Sequence, residues 1–271
     1  MRRLYTIALS CFLWFQTAYA LAIVVDGDLS DWLNPPTGNA NDWLPKRSSI
    51  FYAVEDQTGG AGAYLDPGYG GQGYDAEAIY VEIDAGMLYV AVVTGLAPNN
   101  TTWPAGDLAI DFGQNGTFEY GIVVLGDSWG IGQAGDVFQT TAWNYGLWTA
   151  PNVHDPSGDS PYKRAHPTTV KSGTKIGSAS LVYQQAKYNS SPIPKLGVYS
   201  GNNHYLIEAA IPLAIFDPTL RGQKFDIHWT MTCANDWIQV DPDPASVPEP
   251  STFLLLGAGM LGARMRGKPR G

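Results

Sequence analysis

Two sets of carboxylates in this sequence have the composition and spacing to hold a hard cation. Asp26-Gly27-Asp28-Leu29-Ser30-Asp31-Trp32 places Asp26, Asp28 and Asp31 around a glycine, and such a run can turn oxygen ligands inward around Ca2+. Ser30 or Asp31 can instead cap a turn ahead of Trp32, and the spacing is not that of an EF-hand loop. The second set is Asp56, Asp66, Asp75 and Glu77, in a stretch that includes Asp66-Pro67-Gly68-Tyr69-Gly70-Gly71-Gln72-Gly73-Tyr74-Asp75-Ala76-Glu77. A long loop without secondary structure of its own is usually functional or disordered. The tyrosines and spaced acids favour order, with the four acids gathered round one Ca2+ or hydrogen-bonded as an ordinary acidic loop.

A third chemistry is aromatic. Trp143-Asn144-Tyr145-Gly146-Leu147-Trp148 sets two indoles across a glycine turn beside an amide. Flat rings next to hydrogen-bonding groups suit a sugar, whose CH groups stack while its hydroxyls find polar partners. Trp143, Tyr145 and Trp148 are therefore the candidate sugar-binding residues, against the alternative that the tryptophans fill a core beneath a long loop. Signals for catalysis are weaker. Asp111 and Glu119 could in principle form a glycosidase pair, but they sit where turn contacts of antiparallel strands also place acids. There is no convincing Gly-x-Ser-x-Gly elbow and no His-Glu-x-x-His. His154 and His166 lack a neighbouring Cys or His, which argues against a zinc site. The expectation is a protein without enzymatic activity.

These residues need a scaffold, and composition indicates which kind. Glycine (31), proline (19) and aromatics (12%) are abundant while charged residues make up 15%, a mixture that suits short strands and tight turns. A net charge of −9 repels nucleic acid and attracts divalent cations. The expected strands are Ala22 to Val25, Ile50 to Glu55, Ala78 to Asp84, Met87 to Thr94, Asp107 to Phe112, Thr117 to Leu125, Lys175 to Tyr188, Lys195 to Tyr199, His204 to Ile211 and Phe225 to Thr232. Tight turns at Ala85-Gly86 and Asn115-Gly116 close two hairpins. Residues 127–168 read as looser, and Leu213 to Phe216 as one helical turn. Alternation puts Phe225, Ile227, Trp229, Met231 and Cys233 on one buried face, so Cys233 reads as an inert thiol. The fold class that follows is all-β, with strands in antiparallel hairpins and long Gly/Asp-rich loops.

Both ends carry transport signals. Arg2 and Arg3 precede an apolar stretch and Ala18-Tyr19-Ala20, the order of a secretory signal peptide over residues 1–20. Cys11 leaves with that peptide, so Cys233 has no intramolecular disulfide partner. At the other end Val-Pro-Glu-Pro is followed by an uncharged run, Ser251 to Ala263, and then Arg264, Arg266, Lys268 and Arg270. The run is short for a bilayer span, although a helix over 251–265 with snorkelling arginines can lodge there transiently. This tail resembles the PEP-CTERM sorting signal of Gram-negative bacteria, with Pro248, Glu249 and Pro250 at its signature tripeptide. The resemblance implies export across the inner membrane, transient retention, cleavage by an exosortase, and delivery to the outer surface or matrix. The division is then a sandwich domain over 21–240, an acidic proline linker over 241–247 and the sorting signal over 248–271.

Asp26 to Trp32, Glu208-Ala209-Ala210-Ile211-Pro212 and Phe225 to Cys233 together resemble a carbohydrate-binding module family 9 or DOMON-like sandwich. That resemblance implies a two-sheet antiparallel β-sandwich of jelly-roll type, structural Ca2+ and a sugar between aromatic faces. The expected function is an exported, Ca2+-stabilised polysaccharide-binding domain, with a structural surface or biofilm protein lacking a sugar ligand as the alternative and a glycan-active hydrolase a distant third.

Overall fold

The computed structural model describes residues 23–56, 70–126, 129–146, 166–193, 195–198 and 203–244. In chain order its strands are β1 (Phe51–Val54), β2 (Ala76–Asp84), β3 (Met87–Thr94), β4 (Leu108–Phe112), β5 (Tyr120–Ile122), β6 (Asp136–Tyr145), β7 (Pro167–Ser178), β8 (Ser180–Gln185), β9 (Lys187–Tyr188), β10 (Ser191–Pro192), β11 (Tyr205–Pro212), β12 (Phe225–Thr230) and β13 (Trp237–Val240). One sheet has the order β1-β2-β3-β11-β8 and the other β13-β12-β4-β5-β6-β7, with β9 and β10 as a small separate ribbon. The named strands pair antiparallel throughout. Among the described residues helix is confined to short 3-10 turns, including the expected one at Leu213–Ile215.

Strand side chains alternate between faces, and here one phase from each sheet meets in the main core. Val81 of β2, Val90 of β3, and Ile207 and Ile211 of β11 share that core with Ile110, Ile122, Ile227 and Trp229 of the second sheet. The first sheet is covered on its other face as well. Residues 23–50 fold over Tyr80, Ala91, Val93 and Leu206 with Leu29, Trp32, Leu33 and Trp43. Glu208, fully buried in β11, fastens this segment: its carboxylate accepts from Asp26 N (2.9 Å), Gly27 N (2.9 Å) and Trp32 Nε1 (2.8 Å). On the outer face of the second sheet, Trp143 of β6 and Val170 of β7 pack with Ala109, Val123 and Phe138. Gly121 permits this close approach, since a Cβ there would lie 2.4 Å from Val170 Cγ2 and 2.7 Å from Trp143 Cη2.

The structure differs from the sequence-based expectation in several places. Residues 127–168, read as loose, contain β6 and the start of β7; the register of this pair slips repeatedly, which erases the clean period that would have marked it. β13 is an additional strand, just ahead of the acidic proline stretch. The expected strand at 117–125 pairs only over Tyr120–Ile122. The described parts of the expected strands at 22–25 and 195–199 form no strand. The signal peptide and the 251–265 helix lie outside the described residues, and no described helix is long and apolar enough to cross a membrane.

Candidate metal centre and aromatic surface

Five carboxylates converge where the ends of the two sheets meet. Glu55 and Asp56 follow β1, Asp75 and Glu77 bracket the first residue of β2, and Asp236 comes from the turn between β12 and β13. A β-bulge between Ala76 and Ala78 leaves Glu77 as the extra residue of β2, and bulges re-aim side chains in this way. Ala76 consequently faces the main core and Ala78 the outer one. Backbone bonds fix the geometry: Glu55 N and Asp56 N both donate to Glu77 O (2.8 and 3.1 Å), and Ala76 N donates to Asp236 Oδ2 (2.7 Å). Gly95 N and Thr94 Oγ1 donate to Asp75 O (3.0 and 2.5 Å).

Ligand oxygens of Glu55, Asp75 and Asp236 lie within 4.8 Å of one another, as do those of Asp56, Asp75 and Glu77. Oxygens on opposite sides of a Ca2+ ion are at most about 5 Å apart, so both trios have the right scale, and Asp75 belongs to both. Asp75, Glu77 and Asp236 are buried. Both oxygens of Glu55 and of Asp75, with Asp56 Oδ1 and Glu77 Oε2, are buried and have no hydrogen-bond partner. Uncompensated buried carboxylates are costly, and burial, reinforced by mutual repulsion, raises their proton affinity. Glu55 is pushed up to about 10, Asp75 to about 8 and Glu77 to about 9, and Asp236 rises well above the usual range. His204 Nε2 stands 3.4 Å from Glu77 Oε1, but burial lowers its pKa, so it supplies little countercharge at neutral pH. Either protons or a cation must neutralise this cluster.

The structure thus brings Asp56, Asp75 and Glu77 together, while Asp66 lies outside the described residues. Asp26, Asp28 and Asp31 are placed elsewhere and engaged by backbone amides. Asp26 Oδ1 accepts from Asp28 N (3.0 Å), Asp28 Oδ1 from Ser30 N (2.9 Å) and Asn189 N (3.0 Å), and Asp31 Oδ2 from Val24 N (2.9 Å). Asp28, rather than Ser30 or Asp31, is the residue that caps the turn ahead of Trp32. Glu55 and Asp236 escape a reading of the sequence because their relation to Asp75 is made by sheet packing; the one local signal is that each stands at a strand end.

Trp143 is 8% exposed and its Nε1 donates to Phe118 O (2.9 Å), which makes it an outer-core residue with no open ring face. Trp148 lies outside the described residues. Tyr145 is 48% exposed and lines a groove of about 330 Å³ with Trp103, Trp129, Asn144 and Thr169. Trp129 is 44% exposed, and its ring lies 6.1 Å from that of Trp103 at 50°. Asn144 Nδ2 is anchored to Trp129 O (2.8 Å) and Thr169 Oγ1 (3.0 Å). Asp111 and Glu119 are engaged in turn contacts, Asp111 with Asn115 N (3.1 Å) and Gly116 N (2.6 Å), Glu119 with Phe112 N (2.9 Å). Cys233 is buried, and burial pushes its thiol up to about 11.

Residues 246–268 match the PEP-CTERM protein-sorting motif. This span, which contains Pro248, Glu249, Pro250, Arg264 and Arg266, lies outside the described residues. The motif marks an exported surface protein sorted by an exosortase. No curated protein matches the chain.

Proposed function

We propose that the exported domain is a non-catalytic, Ca2+-clasped sandwich that binds a polysaccharide of the cell surface or matrix. The observation that carries the sugar reading is the open groove of Trp103, Trp129 and Tyr145. Its rings offer apolar faces and its rim offers Asn144 and threonine side chains, the combination that a sugar's CH groups and hydroxyls require. Tyr145 is retained from the aromatic run singled out in the sequence and is joined by Trp103 and Trp129, while Trp143 is buried and Trp148 lies outside the described residues. The Ca2+ reading rests on Glu55, Asp56, Asp75 and Glu77, each with a buried unpartnered oxygen, joined at the sheet ends by Asp236. All-β architecture with two antiparallel sheets is consistent with the resemblance to carbohydrate-binding module family 9 and DOMON-like sandwiches.

A glycan array probed with the full chain and with Trp129→Ala and Tyr145→Ala tests the groove. Each substitution is expected to weaken binding about tenfold, which corresponds to about 1.4 kcal/mol, with the melting temperature nearly unchanged because both side chains are exposed. A parent protein that binds no glycan, or variants that bind as the parent does, would support a structural surface protein with no sugar ligand.

A further inference from the structure

A second cavity, about 650 Å³, lies on the outer face of the second sheet. It adjoins the aromatic groove: Pro167 lines this cavity while Thr168 and Thr169 line the groove, so the first residues of β7 are a ridge between the two. Register explains its composition. Ile227 and Trp229 face the main core, which turns Asp226 and His228 of β12 outward. Asp226 is opposite Asp111 of β4, and His228 opposite Gln239 of β13. His166 stacks on His228 (centroids 5.1 Å apart, 17°) and on Trp237 (4.6 Å, 23°), and the last two rings are themselves 5.8 Å apart.

His166 and His228 are 6% and 1% exposed, and neither Nε2 has a hydrogen-bond partner. Leaving such a group unpaired is costly, so both nitrogens favour a ligand that completes them. Burial lowers the pKa of both imidazoles; each is neutral at physiological pH and its Nε2 donates or accepts according to tautomer. A hydroxyl satisfies either tautomer, whereas an ammonium group only donates. The described lining includes Asp111 and Asp226 but no Lys or Arg, which disfavours carboxylated or sulfated ligands. Among the described residues the two histidines join no trio of ligand atoms close enough for a metal ion. The rings of Trp237 and Phe118 add apolar surface.

We propose that this cavity binds an uncharged sugar unit through His166, His228, Asp226 and Gln239, as the neighbour of the unit lying on the aromatic groove. The ligand class rests on the polysaccharide reading above; the site itself is independent of Trp129 and Tyr145. The test is a nuclear magnetic resonance titration of the full chain, observing histidine side-chain signals and tryptophan indole signals. The probes are cellohexaose, mannohexaose, maltohexaose and an oligomer of galacturonate. A neutral hexasaccharide should shift the His166 and His228 signals together with that of Trp129. Gln239→Lys, which fills the cavity with a long cation, should abolish the histidine shifts and weaken binding at least tenfold while the Trp129 shift persists at higher sugar concentration. Trp129→Ala should leave the histidine shifts in place. Histidine signals that stay fixed while Trp129 responds would overturn the cavity proposal alone, as would histidine shifts with galacturonate only, or shifts unchanged by Gln239→Lys. If neither set of signals responds to any probe, both the cavity proposal and the groove reading are overturned.

Discussion

Asp75 is the residue on which the acidic cluster turns, because it belongs to both trios and neither of its oxygens is satisfied by protein. Asp75→Asn should therefore act in opposite directions with and without metal. In chelator at about pH 8 it relieves repulsion in a buried site and should stabilise the protein or leave it unchanged. In saturating Ca2+ it should forfeit the ligand's contribution, which for the parent is about 2.7 kcal/mol at a hundredfold excess over Kd. Thermal melts of both proteins under both conditions check this, and equal Ca2+ responses would count against the assignment. Gly95 supports the same site from the side: a Cβ there would sit 1.5 Å from Gln72 O, just before Asp75. Gly95→Ala should cost about 3 kcal/mol through forced displacement of that segment, measurable by denaturant unfolding. Residue type and loop context are enough to pick out Asp56, Asp75 and Glu77 from the sequence. The same reasoning also selects Asp26, Asp28 and Asp31, since spacing alone cannot reveal that amides of residues 189–190 and of the loop itself engage them.

Among elements, the cluster joins the end of β1, the bulge of β2 and the β12–β13 turn, so its charge state sets how well the two sheets hold together at that end. The folded carboxyls bind protons more tightly than their unfolded counterparts, and the stability they contribute is present at low pH and lost as pH rises through the folded values. Chelated protein should thus lose stability from about pH 5 upward, through the range of about 8 to 10 where Asp75, Glu77 and Glu55 ionise. Added Ca2+ should restore stability most at the alkaline end, because metal binds the deprotonated ligands. Melting temperatures across pH with and without Ca2+ measure both slopes. Legibility at this scale follows periodicity. β3 has the bounds that its sequence predicts, and the β2–β3 hairpin its expected turn, because alternation and turn chemistry agree there. β6 and β7 are not legible in this way, since their polar, register-shifted pairing has no steady period, and β13 is hidden by the proline-rich stretch that follows it.

For the molecule as a whole, the parts are distinct: a sorting motif at 246–268, two sheets as a frame, an acidic cluster at one end of the frame and an aromatic groove on one face. The sorting motif at 246–268 is legible from sequence because its order of proline tripeptide, apolar run and basic end is local. Processing there predicts a mature protein that lacks Arg264 and Arg266, which intact-mass measurement of material recovered from the native cell surface would establish; retention of both residues would instead indicate a permanently tethered form. The proposed dependence of the frame on a cation is tested most directly by calorimetric titration of Ca2+ into the chelator-treated full chain at about pH 7.5, in two buffers of different ionisation enthalpy. Saturable binding with proton release, seen as a buffer-dependent heat, is expected, since Ca2+ would displace protons from Glu55, Asp75 and Glu77. Both signals should be lost in Asp75→Asn. Absence of Ca2+ binding, or binding with no proton release and undiminished by Asp75→Asn, would refute a Ca2+ site at this cluster.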